Sequence, residues 1–507
     1  MNKKIKIMLA QLNPTVGDLE KNSKIVMETY DEASKQKVDV LAFPEMFLSG
    51  YQLQDLVLKK AFQEDVKKFI KFLAKKCVAS TYLLLGAPIL EKEKLFNAYL
   101  HIYKGKTKVI SKKFHLPNNS LFDEHRYFNQ SDFKDLAEIN GIKIGFPICE
   151  DIWFSDISNM FKKRGADLLI SPNGSPYERH KLKKRHNEVF KRCKENNIPI
   201  IYLNLVGGQD DQVFDGGSFV MNNNGNIIAQ LPQFEQKKFF FEFQKKEPFL
   251  INKNKKLSNI KNDLSQDYRA ISEGTKDYIL KSGFNKVLIG LSGGIDSALV
   301  ACIAVSALGK NNVCGISLPS KFSSKHSLND AKTLAINLGI EYKVIKIHSI
   351  ISSFDTTLKP SFKNENSNIA EENIQSRVRG NILMALANKF GWLVLSTGNK
   401  TELALGYCTL YGDMIGALSV IADLSKNDVY ALSKWINKHK QNRIPNNSLL
   451  KPPSAELSPN QVDPFDYAII SPLVDDIIEK RKPLSVLINE GFEESLVHDV
   501  YKKIKFN

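Results

Sequence analysis

The sequence predicts an α/β protein made of two successive domains. Three observations carry that prediction. From residue 5 to residue 243, apolar runs of strand length alternate with amphipathic stretches of helical period, the pattern of a layered α/β domain. After residue 263 a second alternation of strand and helix begins, and its order implies a doubly wound parallel sheet with a ligand at the strand C-termini. Between the two, residues 247–263 are rich in Lys and Asn and poor in large apolar side chains beyond Ile251, as a linker is. The expected division is 1–246, a linker 247–263, and 264–507. No internal repeat relates the halves.

In the first domain, residues 5–13 read as a strand and Asp18 as the N-cap of a helix reaching about Lys37. Residues 38–43 are a second strand, which delivers Pro44 and Glu45 at its C-terminal end. Residues 54–79 are helical and 82–88 form a third strand. Residues 96–103 and 109–113 alternate as paired strands around Lys104-Gly105. Residues 141–148 are a strand ending at Cys149, and 166–171 and 199–205 continue the sheet, each after a helical stretch. Residues 216–243 read as strand, an Asn-Asn-Gly turn and further strand. In the second domain 268–282 is a helix, 287–291 a buried strand and 298–305 a helix packed on a sheet. Strands follow at 313–320 and 343–347, separated by a helix over 327–338. Residues 359–367 are polar and read equally as a mobile loop near the active site or as a plain solvated connection. A helix starts at Glu371 and reaches Phe390, and 392–397 form the next strand.

Composition narrows the class. The chain has 507 residues, 43% of them hydrophobic and 25% charged, as globular domains have. No apolar run approaches the ~18–20 residues that span a bilayer, so no membrane partner is expected. The segment Met1–Gln11 is basic and then briefly apolar, and reads as a first strand and not as a signal peptide. Cys77, Cys149, Cys193, Cys302, Cys314 and Cys408 form no Cys-x-x-Cys pair, which speaks against structural zinc, a disulfide scaffold or a dithiol site, and for the cytoplasm. Lys and Arg number 71 against 55 Asp and Glu, a net charge of +16. The lysines are spread over both halves with no basic arm, so no nucleic-acid partner is expected.

Two constellations carry chemistry. Ser292-Gly293-Gly294-Ile295-Asp296-Ser297 joins the strand 287–291 to the helix after it. Such a turn aims backbone N–H groups from a helix N-terminus, a cradle for phosphate. No Lys-Ser or Lys-Thr follows, so this is not the Walker loop, which sets a Lys on the β- and γ-phosphates. In the first domain Glu45, Lys113 and Cys149 stand at strand ends and could meet. A cysteine nucleophile needs a base for its proton and a cation for the developing oxyanion, and Glu with Lys supplies both. The plain readings are a tight Gly turn, a surface Glu after Pro and a core-filling Cys.

The wider contexts favour the chemical readings. Leu41–Glu45, Lys113–Asn118 and Gly145–Asp151 resemble the carbon–nitrogen hydrolase (nitrilase) superfamily, over roughly residues 3–245. That resemblance implies an αββα sandwich with Glu45 as general base, Lys113 as oxyanion partner and Cys149 as nucleophile. Glu124, within Phe122–Phe128, would be a fourth, orienting carboxylate. Residues 171–177, followed by Lys181 and Arg185, resemble the substrate-pocket segment of members that use glutamine. There Ser175 and a basic residue, Lys181 or Arg185, would hold the amino-acid end of L-glutamine, with Glu150 beside them. Such relatives often carry Tyr after Leu-Pro-Asn, and this chain has Asn119.

Ser292–Ser297 resembles the pyrophosphate loop of ATP pyrophosphatases, which cut ATP between its α- and β-phosphates. Together with Leu318–Ser320, 373–377, 396–402, 406–413 and Lys451–Leu457, it resembles the NAD synthetases, and the domain order matches their fused glutamine-dependent form. The implied fold is a Rossmann-like sheet of the adenine nucleotide alpha hydrolase type. The implied reaction is adenylation of the nicotinate carboxylate of deamido-NAD by ATP, then attack by neutral ammonia made from glutamine through a Cys149 thioester and passed along a closed channel. Gly290, Leu291, Ser292, Gly293, Gly294, Ile295, Asp296 and Ser297 would hold ATP, with Thr397 by the nucleotide and Mg²⁺ near Asp296 and Glu402. Asn373, Glu402 and Tyr407 would face deamido-NAD. Relatives commonly carry a further tail beyond the stretch where this chain stops, which leaves Lys502 as the remnant for the dinucleotide.

The expected partners are therefore L-glutamine, ATP and deamido-NAD, with a homo-oligomer formed as a dimer through the second domain or larger. Another glutamine-dependent, amide-forming ATP pyrophosphatase is the first alternative, and residues 373–377 and 451–457 speak against it. An RNA-modifying pyrophosphatase is favoured only by the charge and leaves Glu45, Lys113 and Cys149 without a task.

Overall fold

A computed structural model describes residues 3–119, 121–245, 258, 260, 263–363, 365–441, 443–459 and 461–507. The expected linker 247–263 lies almost wholly outside the described residues. The chain divides into two compact units, Met1–Gly274 and Thr275–Asn507. The division falls inside the helix Leu264–Lys281. The first part of that helix is tied to the N-terminal unit: Asp267 accepts from the Tyr177 hydroxyl (2.7 Å) and pairs with Arg179 (2.8 Å), and Arg269 pairs with Glu235 (2.8 Å).

The N-terminal unit holds two six-stranded sheets. In chain order the strands are β1 (Lys4–Gln11), β2 (Val40–Ala42), β3 (Tyr82–Glu91), β4 (Lys94–Tyr103), β5 (Lys106–Lys112), β6 (Ala137–Ile139), β7 (Ile142–Gly145), β8 (Leu168–Asn173), β9 (Ile200–Asn204), β10 (Phe219–Met221), β11 (Ile227–Gln230) and β12 (Lys237–Gln244). One sheet runs β12-β1-β2-β3-β4-β5 and the other β11-β10-β9-β8-β7-β6. Each has three parallel strands at its centre, β1-β2-β3 and β7-β8-β9, with antiparallel neighbours. Side chains alternate along a strand, and β1 shows the result. Ile5, Ile7 and Leu9 join one core with Leu84, Ile144, Leu168 and Ile201, so the two sheets pack face to face. Met8 and Ala10 point the other way, into a core shared with Val26, Tyr30, Val66 and Ile70 of the helices Leu19–Lys35 and Lys60–Lys76. On the far side Leu169, Ile200 and Tyr202 pack with Phe161, Val189 and Cys193 of Ser155–Lys163 and Lys181–Asn196. The result is an αββα sandwich whose central strands are covered on both faces, which is why they read as continuous apolar runs. Lys104 and Gly105 both have positive φ (47° and 78°), the two-residue turn that matches strand twist in a hairpin.

The C-terminal unit has one five-stranded parallel sheet. Its strands are β13 (Val287–Gly290), β14 (Val313–Ser317), β15 (Glu341–Val344), β16 (Leu393–Ser396) and β17 (Leu418–Ser419), in the order β15-β14-β13-β16-β17. The order reverses between β13 and β16. Chains leaving neighbouring strands there part to opposite faces, and the crevice at the strand C-termini is the expected ligand position. The helix Ile295–Leu308 after β13 is buried from Ser297 to Ala304, as the apolar sequence there requires. The expected loop 359–367 differs. A helix, His348–Phe362, runs through its first four residues, with Pro360 in the last turn. Ile347 at its N-cap and Ile351 and Leu358 within it keep helical spacing, and Ile347 and Ile351 pack into the core beside β14.

Candidate active sites

Strand ends bring Glu45, Lys113 and Cys149 together in the N-terminal unit. Glu45 follows β2 and is buried, and its loop lies against Gly86 of β3, where a Cβ would collide with the Met46 backbone. Lys113 follows β5 and is also buried. Its Nζ meets Glu45 Oε1 at 2.9 Å and Glu124 Oε2 at 2.7 Å. Asn97 Nδ2 donates to Glu45 Oε1 (2.7 Å) and Glu124 Oε1 (3.1 Å), Tyr51 OH donates to Glu124 Oε1 (2.9 Å), and Gly174 N–H donates to Glu45 Oε2 (2.6 Å). Burial pulls the Lys113 ammonium down, but Glu124 and then Glu45 outweigh it and hold its pKa well above the usual lysine value. Burial raises the Glu124 carboxyl.

Cys149 opens a short 3-10 turn, Cys149–Trp153, with its own φ at +46°, a strained position for a residue with a Cβ. Burial pushes its thiol well above the usual range, Glu45 adds to the rise, and Lys113 and the Gly174 amide oppose it. The resting group is therefore a thiol, with a carboxylate and a permanent cation beside it.

The residues expected to hold glutamine divide by what they already bind. Arg185 is buried, and every guanidinium nitrogen is engaged. Nη1 donates to both oxygens of Asp215 (2.8 and 2.9 Å), Nη2 to the carbonyls of Ser175 and Pro176 (2.9 Å each), and Nε to Ser175 Oγ (3.1 Å). With all three nitrogens engaged inside the unit, Arg185 supports Ser175 from beneath. Lys181 differs: its closest acid is Glu178 at 3.5 Å, and burial, then Arg185, lowers its pKa. The Glu150 carboxyl is raised by burial, with Lys113 and Lys181 acting the other way.

In the C-terminal unit the Ser292–Ser297 turn sits at the end of β13. Gly293 has φ +81° and lies against the Ser327 backbone, which leaves no room for a Cβ. Ser292 Oγ accepts from Gly294 N–H (3.1 Å) and lies 3.2 Å from Ser297 Oγ. A cleft beside the turn is lined by Gly290, Leu291, Ser292, Gly294, Ile295, Asp296 and Ser297, and by Thr397, Glu402 and Tyr407. Gly293 instead supports the turn from behind. Asn373 and Lys502 are not among the cleft-lining residues: Asn373 Oδ1 accepts from Thr409 Oγ1 (2.8 Å), and Lys502 is exposed on the last helix.

Lys426 organises this cleft, and the sequence reading missed it. Its Nζ pairs with Asp296 Oδ2 (2.7 Å) and Glu402 Oε1 (2.8 Å), while Asn399 Nδ2 donates to Asp296 Oδ1 (2.9 Å). Burial raises the Glu402 carboxyl to about 7, Asp296 adds to the rise, and Lys426 opposes it. A signal for Lys426 exists. It is the first residue of the helix Lys426–His439, where a cation opposes the helix dipole unless acids offset it. Arg379, Lys451, Glu456 and Asp463 also line the cleft. Among the described residues no group of three or more His, Cys, Asp or Glu side chains could hold a metal ion, and no helix is long and apolar enough to cross a membrane.

Known proteins match both units. The carbon-nitrogen hydrolase family model matches residues 6–242 and the NAD synthase model residues 267–507. The glutamine-dependent NAD(+) synthetase of Rhodobacter capsulatus is 40% identical, covering 98% of this chain and 92% of that protein. That of Synechocystis sp. is 41% identical, covering 97% and 91%. The solved structure of glutamine-dependent NAD+ synthetase from Acinetobacter baumannii, in complex with adenosine diphosphate, matches at a TM-score of 0.83 and 34% identity, covering 99% of this chain and 93% of that one.

Proposed function

The chain belongs to the glutamine-dependent NAD(+) synthetases, and from that premise we propose how its own residues divide the reaction. The enzyme amidates deamido-NAD to NAD with nitrogen from glutamine, at the expense of ATP. The observation that carries the division of labour is that each unit holds one buried lysine between two acids, beside a thiol in one and a phosphate-binding turn in the other.

In the first unit Lys181 and Ser175 hold the amino-acid end of glutamine, and Glu150 helps to orient it. Glu45 takes the Cys149 proton as the sulfur attacks the side-chain carbonyl, and Lys113 offsets the oxyanion. The C–N bond breaks, the proton leaves with ammonia, and a thioester remains. Water then releases glutamate and restores the thiol. A thiol held high in pKa is inert until substrate and base meet it, which suits a group buried with its base.

In the second unit Ser292, Gly294, Ser297 and the helix N-terminus receive ATP phosphates, with Thr397 by the nucleotide and Glu402 and Tyr407 toward deamido-NAD. The carboxylate of deamido-NAD attacks the α-phosphorus, pyrophosphate leaves, and ammonia displaces AMP. Asp296 and Glu402 already share one cation, and nucleotide-bound Mg²⁺ takes only one or two carboxylates, so their donor set fits that ion. Bound there, it would offset the charge of the phosphates. Asn373 acts through Thr409.

We place the enzyme in the cytoplasm, as a dimer through its second unit or a larger assembly. The exposed Leu410, Tyr411 and Met414 beside the cleft favour a second copy there. The deciding experiment is pyrophosphate release from Mg-ATP with and without deamido-NAD, in the presence of glutamine. Release should require deamido-NAD and give AMP, NAD and glutamate. Release without deamido-NAD would mean that another acid is adenylated.

A further inference from the structure

Asp151, the third residue of the Cys149-Glu150-Asp151 motif, has no part in the chemistry above, yet it is wholly buried. Its carboxylate takes four donors. Oδ1 accepts the backbone N–H groups of Phe114 (3.1 Å) and His115 (2.9 Å), the two amides directly after Lys113. Oδ2 accepts the N–H of Ile148 (3.1 Å), the amide directly before Cys149, and Lys134 Nζ (2.8 Å). Lys134 is buried too, and its Nζ also donates to the Lys112 carbonyl. Burial pulls the Lys134 ammonium down and Asp151 opposes that.

The topology shows why such a tie matters. Lys113 follows β5 of the first sheet, and Cys149 follows β7 of the second. The layers meet mainly through apolar side chains, which fix their spacing better than their sliding. One polar tie beside the site is Ser111 Oγ to the Phe146 carbonyl (2.7 Å). A second is Gly174 N–H to Glu45 Oε2 (2.6 Å). Asp151 adds a third, and it reaches the chain on both sides: just after the cation and just before the nucleophile.

We infer that Asp151 is a positioning residue of the glutaminase, the clamp that sets the Lys113 ammonium against the Cys149 sulfur across the two sheets. The inference rests on the reading of Cys149 as nucleophile and Lys113 as its cation. It is separable from a purely electrostatic role by sign. Deleting a nearby negative charge eases thiolate formation, whereas loosening the cation hinders it. The charged groups acting on Cys149 are Glu45, Lys113, Glu150, Lys181 and Arg185, and all five keep their charge when Asp151 is changed, so only their placement can alter the thiol.

In the full-length enzyme, Asp151→Asn should lower kcat for glutamine-dependent synthesis about 100-fold, the scale of a misplaced reacting group. The KM for glutamine and the ammonium-supported rate should stay as they were. The pH midpoint for alkylation of Cys149 by iodoacetamide, read on its peptide by mass spectrometry, should move up. The double variant Asp151→Asn with Lys134→Met removes the partner ammonium as well, and should give the same losses even if the single variant folds poorly. Unchanged glutamine turnover in either folded variant, or a midpoint that moves down, overturns the assignment. Cys149→Ala is run beside them. Glutamine-dependent synthesis surviving in that variant would sink the nucleophile reading itself, a result distinct from an error about Asp151.

Discussion

The two candidate sites use one device in two settings. Lys113 lies between Glu45 and Glu124, and Lys426 lies between Asp296 and Glu402. The first triplet is sealed, with side-chain exposures of 0% for Lys113, 0% for Glu45 and 4% for Glu124. In the second, Lys426 is 3% exposed, but Asp296 and Glu402 keep 18% and 17%. A sealed triplet suits covalent chemistry on a small amide, because its charges cannot rearrange while the thioester forms. A triplet on a cleft wall suits the meeting of two anionic substrates, because its acids can exchange partners as phosphates arrive. The difference comes from the fold: two stacked sheets close over one site, and the rim of a single sheet leaves the other open.

The largest effects should separate the two sites outright. Cys149→Ala should cut glutamine-dependent NAD formation by at least about 1000-fold while ammonium salts still support it, as loss of a nucleophile does. Asp296→Asn should stop pyrophosphate release with either nitrogen source. Loss of both activities in the Cys149 variant would undo the contrast, and so would an active Asp296 variant.

Stability should show the same asymmetry. Lys113→Met strands two buried carboxylates and should destabilise its unit by about 3–5 kcal/mol. Lys426→Met leaves acids that already reach water, and its cost should be clearly smaller. Hydrogen exchange followed separately in β2–β4 and β13–β16 would rank the two, and equal losses would mean that the exposure difference has no energetic weight.

How much of this was legible in the sequence follows from the distance between partners. The sandwich, the parallel sheet and the glycine turn at 292–297 all show as local periodicity and turn chemistry. Glu45 and Cys149 were readable because strands deliver them at their ends. Lys426 was not, because its acids stand 130 and 24 positions away and only its odd place at a helix start betrays it. The surroundings of Arg185 were hidden for a related reason. A sequence shows a guanidinium near a pocket, but not that Asp215 and the 175–176 carbonyls have already engaged it. The helical residues 359–362 look like loop because Lys, Pro and Ser dominate them, although the apolar spacing upstream carries the helix through.

A finer test concerns the glutamine pocket. Among the described residues Lys181 has one weak acidic contact, Glu178 at 3.5 Å, so Lys181→Met should raise the KM for glutamine about 10–100-fold, the worth of one charge-assisted hydrogen bond. Its kcat and the ammonium-supported rate should change little. Arg185→Met should instead damage folding of the unit, since it breaks a buried pair with Asp215. A variant of Arg185 that folds normally and loses only affinity for glutamine would reverse the two roles.

The smallest effect tests the sealed site through its thiol alone. Burial and the Glu45 carboxylate both hold the Cys149 thiol high, and Lys113 opposes them. Glu45→Gln removes the second cause and leaves the cation. The thiolate therefore forms at lower pH, and iodoacetamide should alkylate Cys149 faster at pH 8 than in the unmodified enzyme. Glutamine turnover should nevertheless be lost, because no base remains to take the proton as the thioester forms and return it to ammonia. A variant more reactive toward a reagent and inactive toward its substrate is what a base buried beside its nucleophile requires. If alkylation slowed instead, Glu45 would be assisting ionisation of the free enzyme, and the thiol would not be held in reserve by the carboxylate next to it.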